Sequence, residues 1–264
     1  MTTPAFFQGR GSPVVERPGD EFWWHSTPLP TGVRTKSKQE SQENQFLMWD
    51  AICGATPDGF GAKSVLDIGA ADGFFAIAAA AAGASRVDAI DLAYIGWPHN
   101  LKFLSQQWNI PIHIMTGDFR SYNFERRYDV IFFLGVLYHL EDVFGVFRIL
   151  HNLLNCRGSV IIETQVSQND SEFPMFEMAS DLFPSTVGQG IEAIDNVGVS
   201  NYLVPNKLAI YQLAHMYRFK CHEKIRCSYT DNFPLRHFYV FDKLPDDAAR
   251  WDPREIAGAQ VAGG

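Results

Sequence analysis

Short apolar runs alternate with longer stretches of helical periodicity through the middle of the chain. The apolar run 65–68 ends at a glycine-spaced turn, and the alanine-rich stretch 74–82 then predicts a helix, because alanine has the highest helix propensity. Further strands are predicted at 87–90, 112–115, 130–134 and 160–163, and further helices near 100–108 and at 143–154. Repeated strand–helix units of this length predict an α/β fold with a parallel sheet and helices on both faces.

The pattern differs on both sides of this alternation. Proline, glycine and threonine are frequent in residues 1–36, which predicts an irregular arm. The arm carries the aromatic cluster Phe22-Trp23-Trp24-His25, and because large rings rarely stay in water we expect it to pack on the main body as a cap. Apolar spacing predicts a helix within 37–53.

Regular periodicity stops after the fifth predicted strand. Residues 167–205 mix Pro, Gly, Asn and Asp with Phe and Met, and so long an irregular stretch predicts a lid insertion. The insertion's rings and methionines either line an apolar acceptor pocket or form its own small core. A helix at 208–216 and a strand pair at 224–229 and 237–241 follow. The predicted organisation is an arm (1–36), one domain (37–244) and a disordered tail (245–264).

Composition narrows the functional classes. The 264 residues are 46% hydrophobic and 20% charged, as in an ordinary globular protein, and they carry a net charge of −8. This acidity argues against a long nucleic-acid groove. We expect reduced thiols and no metal site, because the spacing of the four cysteines fits no zinc pattern: Cys53, Cys156, Cys221 and Cys227. The absence of a signal peptide pattern and of a long apolar run predicts a cytoplasmic protein.

The turn after the first strand is a candidate ligand site. A strand, a glycine turn and a helix N-terminus together present free backbone N–H groups, which suits an anionic, nucleotide-like ligand. A nicotinamide dinucleotide would prefer G-x-G-x-x-G, whereas the turn is Gly69-Ala70-Ala71-Asp72-Gly73 and keeps only the outer glycines. Hydride transfer is therefore disfavoured.

Acidic residues end successive predicted strands. Asp91 ends the second strand, where it can accept both hydroxyls of a ribose, in NAD or in S-adenosylmethionine alike. Asp118 and Phe119 follow the third strand and offer a carboxylate for an adenine amino group and a ring beside it. A lone loop aspartate is often only a turn former. In series with Asp67 and Asp91, however, Asp118 favours a nucleoside cofactor.

Several motifs carry a family resemblance. The segments VLDIGAADGFF, IDLA and GDF resemble the signature of class I S-adenosylmethionine-dependent methyltransferases, which implies a Rossmann-like, seven-stranded, mostly parallel sheet. YDVIFFLGVLYHLED resembles the GVLYH segment of bacterial enzymes that complete 5-carboxymethoxyuridine at the tRNA wobble position, and of their small-molecule methyltransferase relatives. WWHSTPLPTG, IIET and SNYLVPNKLAIYQLAHMYRF extend this similarity over about 24–219.

The resemblance implies a set of cofactor-binding residues. They are Asp67, Gly69, Ala70 and Gly73 at the methionine and ribose, Asp91 and Leu92 at the ribose and adenine, Asp118 and Phe119 at the adenine, and Leu134, Gly135 and Tyr138 beside the methionine and reaction centre. The tRNA enzymes also carry basic residues ahead of the first strand, for the extra carboxylate of carboxy-S-adenosylmethionine and for RNA. Here only Arg34, Lys36 and Lys38 occupy that region, which favours ordinary S-adenosylmethionine.

Methyl transfer needs alignment, desolvation and, for a neutral hydroxyl, a base. The candidate polar side chains are His25, Tyr138, His139, Glu163 and Asn206. His25 is the best base candidate if the arm covers the cleft, because imidazole titrates near neutrality. The alternatives are structural: an aromatic lid on the core for Tyr138, a buried structural histidine for His139 and helix capping for Glu163.

The motifs and the composition together predict a methyl transfer to a small molecule, at an oxygen of a sugar or a natural-product intermediate. One alternative is modification of the tRNA wobble uridine with carboxy-S-adenosylmethionine as donor. Another is a non-catalytic protein that binds S-adenosylmethionine. The sequence does not determine the oligomeric state.

Overall fold

The computed structural model describes residues 5–15, 23–37, 43–93, 97–167, 169, 171–178, 203–226 and 236–249, with backbone only at residues 15 and 222–226. Two compact units divide the chain, Met1–Phe132 and Phe133–Gly264. Within the described residues, no helix is long and apolar enough to cross a membrane. Cys53, Cys156 and Cys221 are free thiols, and Cys227 lies outside the described residues.

The central feature is a seven-stranded, mostly parallel sheet, as the sequence predicts. The strands along the chain are β1 (Val14–Val15), β2 (Arg34–Thr35), β3 (Ser64–Ile68), β4 (Arg86–Asp91), β5 (His113–Thr116), β6 (Tyr128–Leu134), β7 (Leu154–Gln165), β8 (Phe176–Met178), β9 (Leu203–Pro205), β10 (Phe219–Arg226) and β11 (Arg236–Lys243). The order in the large sheet is β10-β11-β7-β6-β3-β4-β5, and β1-β2 and β8-β9 form two small sheets.

Helices alternate with the strands. They are α1 (Ala5–Gln8), α2 (Asn44–Ala55), α3 (Phe74–Ala81), α4 (Trp97–Trp108), α5 (Val143–Leu153) and α6 (Lys207–Met216), with 3-10 turns at Gly9–Gly11 and Leu137–His139.

The strand predicted at 160–163 is shorter than the observed strand β7, Leu154–Gln165. β7 follows α5 directly at Leu154, and its polar first half lacks the apolar run by which strands are recognised.

In the first unit, three parallel strands bring their carboxyl ends to one edge. Ile68 of β3 pairs with Ile90 of β4, and Asp91 pairs with Thr116 of β5. The segments that follow these strands therefore emerge side by side, where parallel sheets bind their ligands. Behind the first of these segments, α3 buries six of its eight residues, which fixes the position of the turn that precedes it.

The N-terminal arm packs on α3 and α4. The ring centroid of Phe6 lies 5.5 Å from that of Phe74 and 5.4 Å from that of Trp108. The indole Nε1 of Trp108 donates to the carbonyl of Pro28 at 2.9 Å. Trp23 is buried, but the expectation that Trp24 is also shielded is wrong, because it remains 36% exposed. Phe22 lies outside the described residues.

In the second unit, β7, β11 and β10 pair in antiparallel fashion. The predicted last strand pair is present, but its first strand begins at Phe219, five residues before the predicted 224, because polar residues interrupt the apolar pattern there. Residues 227–235 lie outside the described residues. Most of the predicted lid (168, 170 and 179–202) also lies outside them, so the lid stays a prediction. The predicted disordered tail is described only at 245–249, where Arg218 donates to the carbonyls of Pro245, Asp246 and Ala248.

Candidate functional site

The turn after β3 has a backbone that requires glycine. Gly73, which precedes α3, has φ +89°, and a Cβ atom there would lie 2.2 Å from Cδ1 of Leu101 in α4. Gly69 has φ +75°, and its N–H donates to the carbonyl of Ile90 at 2.9 Å. The glycine turn is therefore held close to β4 on one side and to α4 on the other.

Asp91 links the end of β4 to the glycine turn. Its Oδ2 accepts the backbone N–H of Ala71 at 2.6 Å, and its Oδ1 accepts that of Leu92, also at 2.6 Å. Burial raises the pKa of Asp91 to about 6, although the two N–H donors oppose the shift. Each oxygen keeps acceptor capacity, because an ionised carboxylate offers about four lone-pair sites. Asp91 can thus accept ligand hydroxyls while it holds the turn.

Asp67 in β3 is a buried acid. The residue is 2% exposed, and its Oδ2 has no hydrogen-bond partner. Burial is the main cause that raises the pKa of Asp67 to about 8, and the negative charge of the nearby Asp91 is the second. Buried polar atoms normally have partners, so an unpaired one needs an explanation. A bound group that carries N–H donors or positive charge would supply the missing partner.

A small apolar cleft lies beside these acids, within the first unit. Its walls include Ala70, Ala71, Asp91, Leu101, Ile114 and Met115. Its volume is about 10 Å³, room for about one water molecule, so a heterocycle would have to displace the surrounding side chains.

The loop after β5 places the next pair of predicted residues. Phe119 is buried, as a ring beside a ligand would be. The carboxylate of Asp118 accepts from Arg120, with Nη2 of Arg120 at 2.6 Å and the backbone N–H at 2.9 Å. Arg120 lowers the pKa of Asp118. These contacts with Arg120 stabilise the local turn. The assignment of Asp118 to an adenine amino group stays a prediction.

His25 is brought to the glycine turn by the arm. Its backbone N–H donates to Oδ2 of Asp72 at 2.7 Å, and its ring Nδ1 lies 2.5 Å from Oδ1 of the same carboxylate. His25 is 6% exposed and Asp72 is fully buried. In the sequence, Asp72 stands out only as part of the departure from the dinucleotide motif. An acid inside a glycine turn, preceded by a histidine in an aromatic arm, was the available signal.

A second polar cluster lies in the second unit and consists of Tyr138, Glu163 and Arg236. The guanidinium of Arg236 donates to both oxygens of Glu163, with Nη2 2.6 Å from Oε2, and its Nη1 donates to the Tyr138 hydroxyl at 2.6 Å. Burial raises the pKa of Tyr138. Glu163 caps no helix but is fully buried in β7, where Arg236 engages both of its oxygens.

Sequence reasoning missed Arg236, the centre of this cluster. The basic residue stands at the start of the apolar strand HFYVF, which is an unusual place unless a buried acid faces it. Gly135, at the end of β6, leaves room for it, because a Cβ atom at Gly135 would lie 3.2 Å from Nη2 of Arg236. The backbone N–H of Gly135 donates to the carbonyl of Glu163, and the preceding Leu134 is half-buried.

The remaining candidates lie in two places. Tyr138 and His139 are neighbours in one 3-10 turn, with ring centroids 4.2 Å apart. Asn206 is the N-cap of α6: its Oδ1 accepts from Ala209, and its Nδ2 donates to the carbonyl of Phe173. Its polar atoms therefore have structural partners.

The basic residues ahead of β3 were considered as carboxylate ligands. Arg34 is buried, and its Nη1 donates to Glu43 at 2.6 Å while its Nε donates to the carbonyl of Ser12. Its guanidinium is thus engaged by Glu43, just after the arm, and Lys38 lies outside the described residues. In the described part of the chain, no three His, Cys, Asp or Glu residues are grouped as a metal site would need.

The seven-stranded fold and the glycine turn together define the class of protein as a methyltransferase, and comparison with known families supports this class. A family model described as a methyltransferase domain matches residues 44–196, more than half of the chain, and the chain belongs to that family.

Among curated proteins, this chain resembles tRNA U34 carboxymethyltransferases. The enzyme of Dichelobacter nodosus (strain VCS1703A) is 28% identical over 113 residues, which is 42% of this chain and 35% of that one. The enzyme of Helicobacter pylori (strain G27) is 24% identical over 146 residues, or 54% of each chain. The chain therefore spans about half or less of these relatives.

Solved structures of methyltransferases share the fold. The 1,6-didemethyltoxoflavin-N1-methyltransferase of Burkholderia thailandensis, bound to its substrate and S-adenosylhomocysteine, has a TM-score of 0.56 and 18% identity over 74% of this chain and 76% of that one. The N-terminal domain of EvdMO1, in the presence of S-adenosylhomocysteine and D-fucose, has a TM-score of 0.57 and 12% identity over 85% and 91%. These likenesses confirm the Rossmann-like fold.

Proposed function

We propose that the protein transfers a methyl group from S-adenosylmethionine to a small-molecule acceptor, at an oxygen of a sugar or a natural-product intermediate. The observation that carries the proposal is the unpaired, buried Oδ2 of Asp67 beside Asp91 and the glycine turn. S-adenosylmethionine supplies an electrophilic methyl group, and its ammonium would be the missing partner of a buried carboxyl.

The residues of the first unit suit each part of that cofactor. The carboxylate of Asp91 retains acceptor sites for the two ribose hydroxyls. The apolar walls around Leu101 and Met115 suit an adenine ring, with Phe119 and Asp118 proposed at its edge. Gly69 and Gly73 keep side chains out of the turn. The proposal assigns Leu134, Gly135 and Tyr138 to the methionine and reaction centre only by family resemblance.

Two features support a small acceptor. The net charge of −8 opposes a polyanion, and Arg34 is engaged with Glu43. The toxoflavin enzyme holds a small heterocycle, and the EvdMO1 structure was determined in the presence of a sugar. The second candidate is wobble-uridine modification with carboxy-S-adenosylmethionine, and the names of the curated relatives favour it.

A thermal-shift series with S-adenosylhomocysteine, carboxy-S-adenosylmethionine and NAD tests the proposal. At about 100 times the dissociation constant, a ligand adds about 2.7 kcal/mol and raises Tm by several degrees. We expect S-adenosylhomocysteine to raise Tm and NAD to have no effect. A shift only with NAD would overturn the proposal, and a preference for the carboxylated donor would favour the tRNA candidate.

Acceptor screening then separates the remaining alternatives. The panel consists of hydroxyl-bearing sugars, phenols and hydroxy acids, with S-adenosylhomocysteine release as the readout. We expect turnover with some of these compounds and no salt-sensitive binding of tRNA. Binding of tRNA that weakens steeply with salt would favour the tRNA candidate. Cofactor binding without turnover on any acceptor or tRNA would indicate a non-catalytic protein.

A further inference from the structure

We propose that Asp72 is a positioning residue that holds His25 in the Nδ1–H form, so that Nε2 of His25 takes the proton of the acceptor hydroxyl during methyl transfer. This inference rests on the proposed function. The sequence already suggests His25 as the base. The new points are that Asp72 positions it and that Nδ1 carries the hydrogen.

The first argument is the geometry of the two hydrogen bonds. Asp72 is fully buried, and both of its oxygens contact His25: Oδ2 the backbone N–H at 2.7 Å and Oδ1 the ring Nδ1 at 2.5 Å. In the proposed arrangement Asp72 is the carboxylate, which has no hydrogen to donate, and Nδ1 carries the hydrogen of this bond. In a neutral imidazole the lone pair then lies on Nε2, which is the nitrogen that can act as a base.

The second argument is the fixed orientation of the ring. The centroid of the His25 ring lies 5.3 Å from that of Phe75 in an edge-on contact and 5.9 Å from that of Phe74. These rings and the Asp72 bond restrict rotation of the imidazole. Among the described residues, Nε2 has no hydrogen-bond partner. A base must have such an unengaged atom, whereas a purely structural histidine normally uses both nitrogens.

The third argument is the place of the pair in the chain. Asp72 stands between Ala71, which donates to Asp91, and Gly73, which begins α3. The pair is therefore part of the turn to which the cofactor is assigned. Asp67 and Asp91, the two acids of the proposed cofactor site, are close enough to Asp72 to interact with it electrostatically.

The proposed step balances as follows. The acceptor oxygen uses a lone pair to bond the methyl carbon, while the bond from that carbon to sulfur breaks and its electron pair stays on sulfur. The hydroxyl proton passes to Nε2 of His25. The imidazolium is stabilised by the Asp72 carboxylate and returns its proton to water.

The protonation pattern can be measured without any acceptor. We would record long-range 1H–15N spectra of the histidine rings in the full chain with saturating S-adenosylhomocysteine, and assign His25 by loss of its signals in His25→Gln. The expected spectrum shows a protonated Nδ1 and an unprotonated Nε2. The reverse pattern in the wild-type protein would overturn the proposal, and retention of the other histidine signals in His25→Gln shows that the variant used for the assignment is folded.

Kinetic variants provide the second readout. With an acceptor from the screen, Asp72→Asn should lower kcat about tenfold or more, with the dissociation constant of S-adenosylhomocysteine changed by less than about twofold. The matched control is His113→Gln, an exposed histidine 3.6 Å from Asp88, which should change neither quantity. His25→Ala should lose about 10²- to 10⁴-fold in kcat and regain part of it with added imidazole.

The outcomes separate this inference from the proposed function. If S-adenosylhomocysteine binds and methyl transfer occurs, but Asp72→Asn and His25→Ala keep normal kcat, the inference is wrong and the proposed function stands. If S-adenosylhomocysteine does not bind the wild-type protein, the proposed function fails, and the catalytic role of the pair fails with it even where Nδ1 is protonated.

Discussion

The carboxylate of Asp91, at the end of β4, accepts the backbone N–H of Ala71 in the turn that follows β3, at 2.6 Å. One side chain thus links two neighbouring strand ends at the edge where parallel sheets bind ligands. The same oxygens are the proposed acceptors of the ribose hydroxyls. Their positions are fixed by the backbone, which reduces the entropy lost on binding.

Substitution of Asp91 should weaken cofactor binding. In Asp91→Ala the charge-assisted hydrogen bonds to the ribose are lost, at about 1.5–3 kcal/mol, or about 10- to 150-fold in Kd. Isothermal titration with S-adenosylhomocysteine measures this change. Asp58→Asn, at an exposed acid in the same unit, is the control and should bind normally. Equal affinity of Asp91→Ala and the wild type would show that Asp91 does not contact the cofactor.

The raised pKa of Asp67 makes the stability of the ligand-free protein depend on pH. Burial raises this pKa to about 8, whereas an unfolded aspartate titrates near 4, so the folded chain holds the proton more tightly. The resulting stabilisation is full at low pH and is lost as the pH rises towards 8. The free energy of unfolding should fall in this window by up to about 1.4 kcal/mol per pH unit.

Asp67→Asn, which cannot titrate, isolates this contribution. Its stability relative to the wild type should rise from pH 5 to pH 8 and level off above that. Denaturant titrations at each pH measure the difference, with Asp58→Asn as the control for a lost surface charge. A difference that does not vary with pH would show that Asp67 is ionised throughout.

Gly73→Ala tests the close approach of α4 to the glycine turn. The new Cβ would meet Cδ1 of Leu101 at 2.2 Å and would also force alanine into φ +89°, so we expect a loss of about 1–3 kcal/mol and weaker cofactor binding. Gly59→Ala is the matched control, because Gly59 has φ +63° with nothing within 4 Å of its Cβ position. If Gly73→Ala and Gly59→Ala lose the same stability in thermal denaturation, the loss comes from backbone strain and not from the contact with Leu101.

Removal of Arg236 should leave the Glu163 carboxylate buried without a partner. Arg236→Met is expected to destabilise the protein by about 3–5 kcal/mol, whereas the exposed Arg148→Met on α5 should have little effect. The double variant Arg236→Met/Glu163→Met should recover part of the loss in denaturant unfolding. If the single and double variants are equally unstable, the packing of the arginine stem matters more than its charge.

Local patterns in the sequence predicted most of the strand and helix order. The β3–α3 unit follows from an apolar run, two glycines and an alanine-rich stretch, because each favours its structure without distant partners. β7 was predicted too short, because its first residues, 154–158, form no apolar run and precede the part that pairs with β11.

The side-chain pairs of the candidate site were harder to predict. His25 and Asp72 are separated by β2, α2 and β3, and Glu163 and Arg236 by the insertion, α6 and β10. No periodicity links such residues, since their contact depends on how the arm folds back and how the last strand enters the sheet. A buried acid needs a partner, but the sequence does not say which cation supplies it.

The contact of Phe6 with Phe74 and Trp108 has a consequence for biosynthesis. The ribosome completes the arm before α3 and α4 exist, so its aromatic residues have no surface on which to pack when they emerge. Docking of the arm closes a long loop and belongs to the late, non-local steps of folding. Until then no folded surface shields Trp23 and Phe6, which are 4% and 1% exposed in the folded protein, from water.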